Sequence, residues 1–233
     1  MRIRPTAVAV ATVLALVAGC GDGGGSDADS ADEAAPSPTP PLAVEISDET
    51  PYTSERNVAV FAPSEGSDWP VVVYFNGGVT PDGYPLDDPN RELLTSIAEQ
   101  GVVVYAPVWD GSGPNGGSQD SVCAMAFAAE TSSDHGGDPD RMTIAGYSAG
   151  GYNAVVHGFI ADDPPLPATD CAVTTEVDLP RAAVSGGGPF FAAEAARAGL
   201  FPAEAWTSLT PEQIDAFDAY LVLDQNPDLT VRL

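Results

Sequence analysis

The chain has 233 residues, enough for one domain with a sizeable core once its ends are set aside. Hydrophobic residues make up 44% of it and charged residues 18%, an ordinary balance for a globular protein, but 34 acids stand against 8 bases for a formal net charge of -26. So acidic a surface repels phosphate backbones and anionic headgroups, which argues against nucleic acid as a partner and says nothing of a substrate.

The N-terminus reads as a processing signal. Arg2 and Arg4 form a short basic region, Ala7 to Val17 is apolar but only about half as long as a bilayer-spanning helix, and Val17-Ala18-Gly19-Cys20 brings small residues up to a cysteine. The pattern resembles the lipobox of bacterial lipoprotein signal peptides; an ordinary secretory signal and an uncleaved anchor helix are the alternatives. The resemblance implies a leader over residues 1–19, a lipid on Cys20 that holds the chain to a membrane, and an extracytoplasmic location. Residues 20–43 read as a flexible tether, because Gly21 to Pro41 is Gly, Ser, Asp, Ala and Pro with almost nothing large and apolar to offset ordering entropy. In an oxidising compartment the remaining cysteines, Cys123 and Cys171, are an even pair that favours a disulfide; two separately buried thiols are the alternative.

The folded domain is expected over residues 44–233. Asn57 to Ala62 alternates apolar residues and ends at Pro63, a strand near the sheet edge. Val71-Val72-Val73-Tyr74-Phe75 is a continuous β-branched and aromatic run, the mark of a strand buried on both faces, and it finishes at Asn76-Gly77-Gly78. A loop to Asn90 precedes a helix over Arg91–Gln100, closed by Gly101, and Val102 to Ala106 is a second buried-type strand. The Gly-rich loop Asp110 to Gln119 leads to a helix over Asp120–Thr131 that carries Cys123, and Asp138-Pro139-Asp140-Arg141 reads as a turn into the apolar run Met142 to Ala145. There follow Gly146-Tyr147-Ser148-Ala149-Gly150-Gly151, a helix-compatible segment from Ala154 to Ile160, a Pro-rich loop with Cys171, and a short strand over Ala182–Ser185. Helical patterns over Phe190–Ala198 and Thr210–Leu223 come next, and Leu229 to Leu233 alternates like the opening of another strand. Strands alternating with helices predict an α/β fold, a mostly parallel sheet flanked by helices, because parallel neighbours need crossovers and helices supply them.

The order strand, Gly-flanked serine, helix is what a nucleophile elbow needs; a plain Gly-rich strand-to-helix turn is the alternative. The chain resembles an α/β-hydrolase of the carboxylesterase or hormone-sensitive-lipase-like kind over roughly Val58 to Phe191. Val71 to Gly78 is similar to that family's apolar strand followed by H-G-G, Asp138 to Gly151 to its D-P-x-R strand leading into G-x-S-x-G-G, and Gly101 to Pro107 fits the strand between them. The resemblance implies that Ser148 is the nucleophile that attacks a small-molecule ester, and that the N–H groups of Ala149, Gly77 and Gly78 receive the oxyanion. Asn76 stands where the family usually has His, which bears on the shape of the oxyanion loop.

A serine nucleophile needs a base, and the sequence holds two histidines. His135 precedes the strand that ends at Ser148 and is expected roughly 20 Å away, at the opposite edge of the sheet. His157 lies some nine residues into the following helix, roughly 13 Å along its axis. In the resembled family the acid and the histidine follow later strands, and nothing in the sequence stands at those places. The expectation is therefore a domain lacking its last strands and helices, an esterase of impaired activity. The alternatives are a binding lipoprotein that keeps the fold without catalysis and an enzyme without a triad. Without those later strands, the edge beyond Ala182–Ser185 is expected to present an apolar rim prone to aggregation. Phe190 to Trp206 reads equally as a lid over an apolar pocket or as a core-facing helix pair. Neither a metal-ligand spacing nor a nucleotide-binding glycine pattern is present, so no cofactor is expected.

Overall fold

A computed structural model describes residues 40–78, 86–110, 114–160, 170–173, 180, 182–187 and 230–232. Residues 1–39, with Cys20, lie outside the described residues, as do the stretches 190–206 and 210–223. The chain divides into two units, Met1–Thr39 and Pro40–Leu233, and the second carries the sheet. In chain order its elements are β1 (Val44–Pro51), β2 (Asn57–Pro63), β3 (Trp69–Phe75), α1 (Asp88–Ala98), β4 (Val103–Pro107), α2 (Pro114–Thr131), a 3-10 turn (Ser132–His135), β5 (Gly137–Tyr147), α3 (Ala149–Ile160), β6 (Ala182–Gly186) and β7 (Thr230–Arg232).

The period of two along β3 and β4 builds two cores at once. Val71, Val73 and Phe75 of β3 and Val103 and Tyr105 of β4 pack with Met125 and Phe127 of α2 and Ala154 of α3. The intervening Val72, Tyr74, Val104 and Ala106 pack instead with Leu94, Ile97 and Ala98 of α1. Successive side chains of a strand point to opposite faces, so strands apolar at every position must be covered on both. Phe75 and Tyr105 are fully buried, and each such side chain contributes about 1.5–3 kcal/mol relative to exposure.

The sheet runs in the order β1-β2-β4-β3-β5-β6-β7. β1, β2 and β4 pair antiparallel, and every pairing from β4 through β3, β5 and β6 to β7 is parallel. This is the expected α/β fold, a mostly parallel sheet flanked by helices. The C-terminal ends of β3, β4 and β5 therefore lie along one edge, where ligands of such sheets bind.

Several boundaries differ from the sequence reading. β1 forms an outer strand that the sequence reading left out, and its register shifts between Ser47 and Thr50. α1 starts before Arg91, because the Asp87 side chain accepts the Asn90 N–H at 3.0 Å and caps the helix. α2 starts at Pro114 and runs through Gly116 and Gly117, where the glycines point to a loop. Asp138 to Arg141 is not a plain turn: Trp69 and Pro70 pair with Gly137 and Asp138, and the register then jumps so that Val71 meets Met142. Pro139 to Arg141 thus bulge out within β5, with the Asp140 N–H donating to the Asp138 carboxylate at 3.0 Å. The rim expected beyond Ala182–Ser185 is not an edge either, since β7 pairs with β6, Ala182 against Thr230 and Val184 against Arg232.

Cys123 and Cys171 form a disulfide with Cα atoms 5.0 Å apart, which removes the alternative of separate thiols. It ties residues 170–173 to α2. The same segment reaches the residues after β1, where Thr53 bridges to Cys171, the Ala172 N–H donates to the Tyr52 carbonyl at 2.8 Å, and the Ser54 hydroxyl bonds to Asp170.

Candidate active site

Ser148 is the single residue between β5 and α3, and its φ of 54° places it in the left-handed region. Residues with a Cβ avoid that region, so the conformation is imposed by the packing around it. The Ser148 N–H donates to the Gly186 carbonyl at the end of β6 at 2.8 Å, and its own carbonyl accepts the Tyr152 N–H at 3.1 Å, the first rung of α3. The flanking glycines are required by contact. A Cβ on Gly150 would run into the Phe75 carbonyl, and one on Gly146 into the Gly150 carbonyl, so the end of β3, the turn and the start of α3 meet backbone to backbone.

The expected oxyanion donors gather at the same edge. A side chain at Gly77 would begin 3.2 Å from the Ser148 Cβ. Ala149 is buried and is the first residue of α3, so its N–H belongs to the group that has no partner within the helix and faces the positive end of the helix dipole. Gly78 follows Gly77 with a φ of 138°. Asn76, in the place of the resembled family's His, is 4% exposed, and its carbonyl accepts the Trp109 indole N–H at 3.1 Å. Ser148 itself is exposed.

His135 does not join this group. It ends the 3-10 turn beside the start of β5, edge-on to Tyr105 with ring centroids 6.1 Å apart. Gly137 pairs with Trp69 at the start of β3 and Gly146 with Phe75 at its end. That separation along the strand is roughly 20 Å. The backbone of His157 lies within α3 and its side chain is outside the described residues. Among the described residues no cluster of His, Cys, Asp and Glu is placed to hold a metal ion.

A polar group not marked by any sequence motif gathers around Asp120. The Asp120 carboxylate pairs with the Arg56 guanidinium at 3.3 Å and accepts the Asp110 N–H at 2.6 Å. A cavity of about 200 Å³ opens beside them, lined also by Thr53, Glu55 and Asp170. Burial pushes the Asp120 carboxyl up from 3.8 to about 6, against the lowering effects of the Asp110 N–H and Arg56. Burial also holds the Tyr52 phenol well above its usual value, and the Asp120 charge adds to that.

A mostly parallel sheet flanked by helices, with a Gly-flanked serine in the left-handed region between a strand and a helix, is the arrangement of the α/β-hydrolase fold, and the chain has that fold. No family model matches it. Among curated proteins it is similar to the carboxylesterase NlhH of Mycobacterium tuberculosis, in strains CDC 1551 / Oshkosh and ATCC 25618 / H37Rv. The identity is 36% over 104 residues, 42% of this chain and 32% of the relative. The match thus spans about a third of the length of those relatives. Among solved structures it is similar to Esterase B from Lactobacillus rhamnosis HN001, with a TM-score of 0.63 at 16% identity over 79% of this chain and 63% of that one. It is also similar to Thermogutta terrifontis esterase 2, with a TM-score of 0.54 at 16% identity over 77% and 66%.

Proposed function

We propose that the chain is a serine hydrolase of the carboxylesterase type acting on small-molecule acyl esters, with Ser148 as nucleophile. The observation that carries this reading is Ser148 at a φ of 54°, presented at the sheet edge with Gly77 beside it. The Ser148 Oγ adds to the ester carbonyl, and the N–H groups of Ala149, Gly77 and Gly78 receive the charge that develops on the carbonyl oxygen. The alcohol leaves with a proton, and water then adds to the acyl-serine and frees the acid. The carboxylesterase likeness supports this chemistry. Esterase B in a form inhibited by a tributyrin phosphonate, and Thermogutta esterase 2 phosphoramylated by tabun, are of the same fold.

The proton of Ser148 needs an acceptor; His135 stands roughly 20 Å away at the start of β5, and the backbone of His157 lies roughly 13 Å along α3. Activity of the 233 residues is therefore impaired, on the order of a thousand-fold over water at most from oxyanion stabilisation and binding. The same geometry favours a second reading, a membrane-anchored lipoprotein that binds an ester without turning it over. In both readings a lipid on Cys20 holds the domain outside the cytoplasm, and the disulfide supports an oxidising compartment.

Hydrolysis of p-nitrophenyl butyrate by the full chain, with and without added imidazole, tests the choice. Imidazole supplies the missing base, so turnover should rise with imidazole in the wild type above the level set by Ser148→Ala. Equal rates for wild type and Ser148→Ala throughout would leave only the binding reading. Fast Ser148-dependent turnover without imidazole would show that a base is present after all.

A further inference from the structure

The loop after β4 is tied on several sides by hydrogen bonds, and one of them reaches the oxyanion edge. The Val108 N–H donates to the Asn57 carbonyl at 2.9 Å, and the Val108 carbonyl accepts the Tyr52 hydroxyl at 2.7 Å. The Asp110 N–H donates to the Asp120 carboxylate at 2.6 Å, and Asp120 is itself paired with Arg56. Trp109, between them, is 5% exposed, stands edge-on to Phe75 with centroids 5.9 Å apart, and donates its indole N–H to the Asn76 carbonyl.

That last bond has a particular consequence. The Asn76 carbonyl and the Gly77 N–H belong to one peptide unit, which is planar and trans. Fixing the direction of the carbonyl oxygen fixes the N–H on the opposite side. Gly77 and Gly78 place little steric restriction on their own backbone, so without an anchor this peptide could rotate away from Ser148.

We propose that Val108–Asp110 is a prop that aims the Gly77 N–H at the oxyanion position, with Trp109 and Asp120 as positioning residues. Trp109 grips the Asn76–Gly77 peptide, and Asp120, braced by Arg56, holds the loop that carries Trp109. The catalytic meaning of the prop rests on the serine-hydrolase reading above, but the prop itself is a mechanical claim that can be read without activity.

The mechanical arm follows the Trp109 indole N–H by NMR hydrogen exchange in the full chain, its resonance assigned by its loss in Trp109→Phe. The wild-type indole should be protected, Asp120→Ala should speed its exchange at least tenfold, and Asp120→Asn, whose amide oxygen still accepts from Asp110, should restore most of the protection. An indole that exchanges freely in the wild type, or is untouched by Asp120→Ala, overturns the prop. The catalytic arm uses Trp109→Phe, which keeps an aromatic ring against Phe75 and loses the donor. Its imidazole-assisted, Ser148-dependent kcat should fall about tenfold with KM nearly unchanged, whereas an unchanged kcat overturns the positioning role. If wild type and Ser148→Ala hydrolyse ester equally, the nucleophile reading fails, and the exchange result still decides the prop.

Discussion

Replacing Asp120 by Asn removes a buried charge at nearly constant shape, and the effect on stability should depend on pH in a calculable way. Asp120 is 8% exposed. Burial is the largest influence on its carboxyl and lifts it from 3.8 to about 6; the Asp110 N–H and Arg56 pull it down, while the Asp110 and Glu55 charges push it up. Asp170 lines the same cavity, and the Tyr52 phenol stays neutral because burial raises it. A carboxyl whose folded pKa lies above its unfolded one stabilises the folded state when protonated. Its contribution is full below about pH 4 and is lost as pH rises through about 6. At 1.36 kcal/mol per pKa unit, the shift corresponds to about 3 kcal/mol. Urea unfolding of wild type and Asp120→Asn, followed by tryptophan fluorescence from about pH 4 to about pH 8, measures it, since the other carboxylates titrate alike in both and cancel in the difference. Wild-type stability minus variant stability should fall by up to about 3 kcal/mol across the acid half of that range and then run flat. The lost Arg56 pairing shifts the whole curve without changing its slope at higher pH. A difference that is constant with pH, or that grows as pH rises, would refute the assignment of Asp120 as a buried, burial-shifted acid.

Gly150→Ala drives a methyl into the Phe75 carbonyl; it should lower stability by at least about 1–3 kcal/mol in the same urea assay, and a variant as stable as wild type would show that the turn has room to relax. Reducing the Cys123–Cys171 bridge, which closes a loop over a sequence separation of 48, should cost about 4 kcal/mol by chain entropy. Peptide mass mapping of the unreduced protein should find those cysteines linked and Cys20 carrying a diacylglyceryl group, and an unmodified Cys20 would remove the membrane anchor from the proposed function.

The parts legible in the sequence are those where a short stretch carries its own constraint. β3 and β4 announce burial on both faces because every position from Val71 to Phe75 and from Val103 to Ala106 must leave water. The turn at Ser148 is legible because its two glycines stand four apart around the serine, even though the carbonyl that excludes a Cβ at Gly150 comes from Phe75 in the neighbouring strand. β1 was not, since Glu45, Asp48 and Glu49 interrupt its apolar pattern, as suits an outer strand that must discourage further pairing. Gly116 and Gly117 pointed to a loop by local propensity, yet α2 runs through them, and tertiary packing against the sheet outweighs about 1 kcal/mol of helix preference per glycine. The bulge at Pro139 to Arg141 depends on where Trp69 and Pro70 lie in the neighbouring strand. The bond from Trp109 to Asn76 joins residues 33 apart, and neither neighbourhood marks it. Long-range partners of this kind become visible only once the order β4-β3-β5 is known.

The glycines on either side of Ser148 serve the architecture, and the serine does not. At a φ of 54° a residue with a side chain costs about 1–3 kcal/mol that a third glycine would spare. The turn, the sheet edge and the start of α3 would all close as well around Gly146-Tyr147-Gly-Ala149-Gly150. The hydroxyl at position 148 is thus held against the preference of the fold that displays it, a standing expense in stability that the proposed nucleophile role would account for.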